Sequence, residues 1–170
     1  MSSPINKSPH AFPGSLQGIA VRPGKGEPVI WVAHAALIAG QGVVGDRFRG
    51  RANSRRQVTL IQSEHLAVIA GLLQLPGLPV PGSDAFMMQV GGVLRRNLVI
   101  AGINLLALKG QRFRIGQVEF EYSGLCEPCE KMERALGAGG LAAMCGHGGI
   151  TARVLTPGTI AVGDALIPQP

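Results

Sequence analysis

The chain has 170 residues, enough for one domain with a sizeable core, so it needs no disulfide or metal staple to fold. Hydrophobic residues make up 46% and charged residues 15%, which excludes a disordered tail protein, because there is ample apolar surface to offset ordering entropy. Sixteen lysines and arginines against ten acidic residues leave a net charge of +6, and with only seven aromatics to stack on bases this favours a small phosphorylated ligand over nucleic acid.

Residues 1–15 are rich in Ser and Pro and lack periodicity, which predicts a flexible tail, with a single domain over 16–167. LQGIAVRP and EPVIWVAHAALIA, rich in Val and Ile between Gly and Pro, read as strands. Gly40–Arg56 reads as a long basic loop, and Arg56–Gln62 (RQVTLIQ) as an alternating strand. Ser63 is the expected N-cap of a helix with Leu66, Ile69, Ala70 and Leu73 on one face. The proline-rich Leu75–Asp84 is a loop, and residues 85–90 make at most a turn of helix. A strand is expected at Asn97–Ala101, a hairpin around Gly116-Gln117, and a helix over CEPCEKMERALG, with Pro128 near its first position and Gly137 just past its end. Further strands flank Thr156-Pro157-Gly158. About seven or eight short strands with two or three short helices, without a βαβ repeat, predict a mainly β protein: a closed, mixed β-barrel, since closure removes edge strands. Glycine, 25 residues without a three-residue period, fits many tight turns and excludes collagen.

The longest apolar run, Leu98–Leu108, is broken by Gly102 and Asn104 and is far shorter than the roughly 20 residues a spanning helix needs. The first residues carry no apolar signal region, and three cysteines show no framework spacing. Both features point to a reducing, cytoplasmic setting.

Chemistry concentrates in four places. Cys126 and Cys129 lie three apart at an expected helix start, where unpaired N–H groups favour a thiolate, the nucleophile and metal ligand. Lys131 supports that effect; Glu127, Glu130 and Glu133 oppose it. The alternative is that both cysteines are small core residues. A second reading joins Cys126 and Cys129 to Cys145 and His147 as four tetrahedral zinc ligands of a non-catalytic binding module. Next, Arg95-Arg96-Asn97 leads into a buried-looking strand, where a guanidinium can clamp a phosphate and Asn97 can read an amide-bearing heterocycle. Asp46, Arg47, Arg55 and Arg56 sit in the glycine-bearing basic loop. Finally, Gly146-His147-Gly148-Gly149 reads as a flexible turn suited to an anion nest. A P-loop, a zincin motif and a serine-hydrolase elbow find no match.

Taken in order, Gly45-Asp46-Arg47, RQVTLIQSEH (Arg56–His65), RRNLVIAGINL (Arg95–Leu105), the Gly-x-Cys-x-Pro-Cys-x-x-Met-Glu run (Gly124–Glu133) and the closing Gly148–Asp164 segment resemble a stand-alone MOSC domain, the module named for the C-terminal domain of molybdenum-cofactor sulfurase. The resemblance implies a barrel related to the pyruvate-kinase barrel domain and a site for a small anionic pterin, the molybdenum cofactor (molybdopterin). The family is also associated with pyridoxal phosphate binding. It implies that Cys129, the residue after Pro128, carries sulfur as a persulfide or ligates molybdenum. The chain is then a sulfur carrier or a small molybdoenzyme, and its partner is a sulfur-donor or reductase protein. Arg95 and Asn97 match the Arg-x-Asn of cofactor-binding members, with Arg56, Asp46, Asn104, His147 and Lys131 as further candidates around the pterin. Cys126 matches nothing the family requires.

Overall fold

In the computed structural model, which describes residues 10–48 and 51–169, the chain runs through β1 (Gly14–Val21), β2 (Ile30–Val32), β3 (His34–Ile38), β4 (Gly42–Val43) and β5 (Val58–Gln62). Helices α1 (Ser63–Leu72) and α2 (Asp84–Leu94) follow, then β6 (Leu98–Ala101) and a 3-10 turn at Leu105–Leu108. The second half holds β7 (Arg112–Ile115), β8 (Val118–Leu125), α3 (Glu130–Leu136), α4 (Gly140–Met144), β9 (Ile150–Val154), β10 (Gly158–Ala161) and β11 (Ala165–Gln169).

Among the described residues, seven strands close into a mixed barrel in the order β11-β7-β8-β9-β5-β6-β1, with β1 returning to β11. Every neighbouring pair is antiparallel except β5 and β6. A parallel pair needs a crossover of a dozen or more residues, and residues 63–97 provide it through α1 and α2. β2 adds to the outside of β1, and β10, β3 and β4 form a small separate sheet. The closed mixed barrel expected from strand count and glycine content is therefore present.

Two apolar clusters hold the fold. Leu16, Ile19, Leu60, Leu98, Ile100, Phe113, Phe120, Ile150 and Leu166 fill the barrel, with Phe113 and Phe120 stacked at 5.3 Å between ring centroids. Outside it, α1, α2, α3 and α4 lay Leu66, Ile69, Phe86, Val90, Leu94, Met132 and Met144 over Ile61 and Val99 of the sheet. Each such side chain, fully buried, contributes about 1.5–3 kcal/mol. The helix layer explains one departure from expectation. All five residues of β5 are buried, because its outer face is covered by helices and is not left to water.

Other departures are local. β1 starts at Gly14, and Gly14 and Ser15 pair with Leu166 and Ala165, so the sheet already includes the end of the expected tail. Residues 1–9 of that tail lie outside the described residues. Ser63 is the first helical residue of α1, and the cap position falls on Gln62 with no side-chain bond. The well-formed cap lies on α2, where Ser83 Oγ accepts from Phe86 N at 3.2 Å. α2 is therefore a full helix of 11 residues and not a single turn. α3 begins at Glu130, so Cys129 is its cap residue and Pro128 precedes it. The hairpin is as expected: Ile115 faces Val118 across Gly116-Gln117, and Gly116 has φ +56°.

Gly148 and Gly149 are both buried, so this segment is tightly packed and not a loose turn. A Cβ on Gly149 would stand 1.9 Å from the Leu60 carbonyl oxygen, at a φ of +89°. Gly149→Ala is expected to destabilise the protein by about 2 kcal/mol or more, read as a fall of roughly 4–8 °C in Tm by thermal melting; an unchanged Tm would show that this backbone approach is not rigid.

Candidate functional site

Between α2 and β6 the chain must turn sharply, and it does so through Arg95, a non-glycine residue held at φ +58°. Its guanidinium donates to the Glu27 carbonyl and, at 3.1 Å, to the Gly24 carbonyl, tying down the turn after β1. Asn97 follows and is wholly buried. Its Oδ1 accepts from Thr59 N and Thr59 Oγ1, both at 3.2 Å, and its Nδ2 donates to the Ala20 carbonyl at 3.3 Å and to Asp46 Oδ1 at 3.2 Å. An amide group makes about four such bonds, so Asn97 is saturated by protein.

Asp46 is used in the same way. Its two oxygens accept from Arg22 N at 2.8 Å, Arg22 Nε at 3.0 Å, Arg22 Nη2 at 2.6 Å, Phe48 N at 3.2 Å and Asn97 Nδ2. Burial alone would raise its pKa, but the hydrogen bonds and charge of Arg22, with the Phe48 N–H, hold it below the ordinary carboxylate value of 3.8. Sequence reasoning gave Asp46 and Asn97 to the ligand. The structure uses both to lock β1, the loop after β4, β5 and β6 together. Arg22, the partner of Asp46, was missed: no local pattern links residues 24 positions apart.

Arg96 points into the protein and is only 6% exposed. Its Nε donates to the Gly148 carbonyl and its Nη1 to the Leu94 carbonyl, both at 2.9 Å. Its Nη2 is buried with no partner. A Cβ built on Gly148 would lie 2.6 Å from the Cys126 carbonyl oxygen, 3.6 Å from Arg96 Nη2 and 3.6 Å from Pro128 Cδ. Gly148 thus packs tightly against the Cys126 carbonyl, with the unpartnered Arg96 nitrogen close by, and only glycine fits at this position. Cys126 is buried, and Arg56 reaches in from the long loop to place Nη2 3.5 Å from its Sγ. Cys129 is exposed. Burial lowers the Arg96 pKa, Arg56 and Arg22 lower it further, and Cys126 and Cys129 oppose them. Both sulfurs therefore lie within the field of one guanidinium.

The loop carrying Arg55 and Arg56 is pinned by Ser123, whose hydroxyl donates to the Arg55 carbonyl and shares a 2.9 Å bond with Thr151 Oγ1. Ser123 sits where the β8–β9 register shifts, between Tyr122 and Gly124. Such bulges re-aim a strand next to a site. Among the described residues, the ion pairs are Arg22–Asp46, Arg134–Glu130 and Arg153–Glu121. Neither Arg56, which faces the Cys126 sulfur, nor Arg96 has a carboxylate partner within that group.

Other expected residues lie elsewhere or serve the fold. Asn104 caps the 3-10 turn, its Oδ1 accepting from Leu106 N at 3.1 Å. Lys131 is exposed on α3. Glu133 accepts from Gly139 N and Leu141 N, which couples α3 to α4. His147 Nδ1 is 2.9 Å from the Ala143 carbonyl, an acceptor only, so Nδ1 carries the proton. Its ring meets His65 edge-on at 5.0 Å, a neighbour that no local sequence pattern links to it. Burial and His147 lower the His65 pKa, and Glu64 opposes them. Cys145, exposed, ends α4. Among the described residues no three His, Cys, Asp or Glu side chains converge on a metal position, so Cys126, Cys129, Cys145 and His147 do not assemble the zinc centre that their spacing offered. Nor is any described helix long and apolar enough to cross a membrane.

The MOSC domain family matches residues 41–167, which is most of the chain. This protein belongs to the MOSC domain family. That family is associated with molybdenum cofactor binding and sulfurase-like function. The fold is similar to that of YuaD from Bacillus subtilis, with a TM-score of 0.74 at 19% identity, covering 92% of this chain and 96% of that one. It is also similar to YiiM from Escherichia coli, with a TM-score of 0.64 at 20% identity over 92% of this chain and 70% of the other. YiiM from Geobacillus stearothermophilus gives a TM-score of 0.65 at 19% identity over 93% and 76%. No curated protein matches by sequence.

The Asp46 knot makes a stability prediction. A carboxylate with a depressed folded-state pKa contributes stability that is fully present above its unfolded value and is lost as pH falls through its folded value. Asp46→Ala is expected to cost about 3 kcal/mol at neutral pH. The gap between variant and wild type should narrow in melts taken below the folded-state value, which lies under 3.8; a gap independent of pH would remove ionised Asp46 from the account.

Proposed function

We propose that this chain binds the molybdenum cofactor through an anion cradle built on Arg96, and that Cys129 is its sulfur-carrying or metal-binding atom. The observation that supports the reading is the buried Arg96 guanidinium with Nη2 unpartnered beside the Cys126–Cys129 segment. A buried donor left open costs about 1–3 kcal/mol, more when charged. An oxyanion removes that cost, and the pterin carries a phosphate, so the residues present fit the group.

Arg96 would hold the phosphate by Nη2, since Nε and Nη1 are already taken by carbonyls. Arg56 would add a second positive charge from the loop. When bound, the cofactor supplies molybdenum, whose affinity for soft sulfur ligands suits a cysteine. Of the two cysteines in this segment, Cys129 is the one that solvent and a partner can reach. As a carrier, its thiolate attacks the outer sulfur of a donor persulfide. A Cys129 sulfur–sulfur bond forms, the donor sulfur–sulfur bond breaks, and the donor leaves as a thiolate, with no net change of oxidation state. The donor is a protein or small molecule bearing a persulfide. Asp46, Asn97 and Arg95 act on the site by fixing the backbone that aims Arg96.

Protein purified from cells that make the cofactor tests this. Wild type should retain pterin and, after exposure to a persulfide donor, gain the mass of one sulfur on the Cys129 peptide. Cys129→Ser should fold normally and lose the added sulfur. Arg96→Gln should weaken retention of the pterin roughly 10–100-fold, the equivalent of one charge-assisted hydrogen bond. Full sulfur loading in the serine variant, or undiminished pterin in the glutamine variant, would overturn the respective assignment.

A further inference from the structure

Cys126 is 2% exposed yet belongs to neither apolar cluster of the protein. A cysteine acting as a small hydrophobe is walled by hydrocarbon. This one has a guanidinium nitrogen 3.5 Å from its sulfur, and the open Nη2 of a second, buried guanidinium abuts its own segment. Its backbone N–H is fixed to the Gly149 carbonyl at 2.9 Å. Three residues on, Cys129 is exposed and lies within the field of the same Arg96. The two cysteines thus differ in access: Cys126 is buried with the Arg56 guanidinium beside its sulfur, and Cys129, three residues on, meets solvent.

We propose that Cys126 is a resolving thiol that discharges the sulfur carried by Cys129. The inference rests on the carrier reading above and adds the step that ends it. Cys126 sulfur attacks the inner sulfur of the Cys129 persulfide. The Cys126–Cys129 sulfur–sulfur bond forms, and the bond between Cys129 and its outer sulfur breaks. That outer sulfur leaves with the bond pair as hydrosulfide, and the proton lost from Cys126 balances it as hydrogen sulfide. The two protein sulfurs end as a disulfide, and the departing sulfur is the one reduced. An external dithiol then restores both thiols. Arg56 and the open Nη2 of Arg96 are placed to stabilise the departing anion. Burial gives the division of labour: a donor reaches Cys129 but not Cys126, so sulfur is loaded on the outer residue and released by the inner one.

The full-length protein, reduced, desalted and loaded with inorganic polysulfide, provides the test. Trapped sulfide and intact mass are followed together. Wild type should gain one sulfur, then release one equivalent of sulfide while its mass falls two hydrogens below the reduced form, with peptide mapping locating the bond between Cys126 and Cys129. Cys126→Ser and Cys126→Ala should load equally but release sulfide about tenfold more slowly or less. Equal release from wild type and both variants, or a persulfide that persists in wild type, overturns the proposal. A wild type that never loads overturns the carrier reading and this step with it. Should both variants fail to fold, diamide oxidation of wild type decides: a mapped Cys126–Cys129 disulfide upholds the pair, and its absence refutes it.

Discussion

A guanidinium buried without a carboxylate is an expensive object, and Arg96 is one. Two backbone carbonyls, from Gly148 and Leu94, hold it in place through dipoles and leave its net charge standing. Burial and its two arginine neighbours all disfavour that charge; the sulfurs of Cys126 and Cys129 are what favours it. Much else in the site follows from this constraint. Gly148 packs against the Cys126 carbonyl near the unpartnered nitrogen, and Arg56 adds charge of the same sign beside the Cys126 sulfur. Guanidinium charge left without a carboxylate is complementary to a negative group.

Such a charge must also be aimed, and the aiming is done by neutral and paired groups around it. Arg95 ends α2 in a left-handed conformation and grips the carbonyls of Gly24 and Glu27. Asn97 and Asp46 saturate their hydrogen bonds on Thr59, Ala20, Arg22 and Phe48. The residues on either side of Arg96 therefore immobilise it. A rigid frame keeps the side chain from swinging out to water, which would relieve its burial and dissolve the pocket.

The crossover between the one parallel pair of strands positions this frame. It carries α1 and α2 over the outer face of β5 and β6 and returns the chain at Arg95. The fold similarity to YuaD and YiiM at 19–20% identity shows how little of the sequence the barrel itself requires. Interior volume and alternation set the architecture, and many apolar combinations satisfy them.

The sequence by itself determined the barrel and the segments that bear chemistry. Alternation of Val, Ile and Phe with Gly-bearing turns marked the strands, Gly116-Gln117 marked the hairpin, and the Cys126–Cys129 spacing marked a candidate site. These signals are local, since a side chain's period and a turn's stereochemistry are properties of a few adjacent residues. Only the tertiary structure decided which polar atoms are paired within the protein. Asp46, Asn97 and Asn104, expected around a ligand, make hydrogen bonds to other parts of the chain, while Arg96 keeps a buried nitrogen without a partner. The reason is physical: whether a polar atom is open depends on the partners that reach it, and for Asp46, Asn97 and Cys126 these include residues 24 to 77 positions away in the chain.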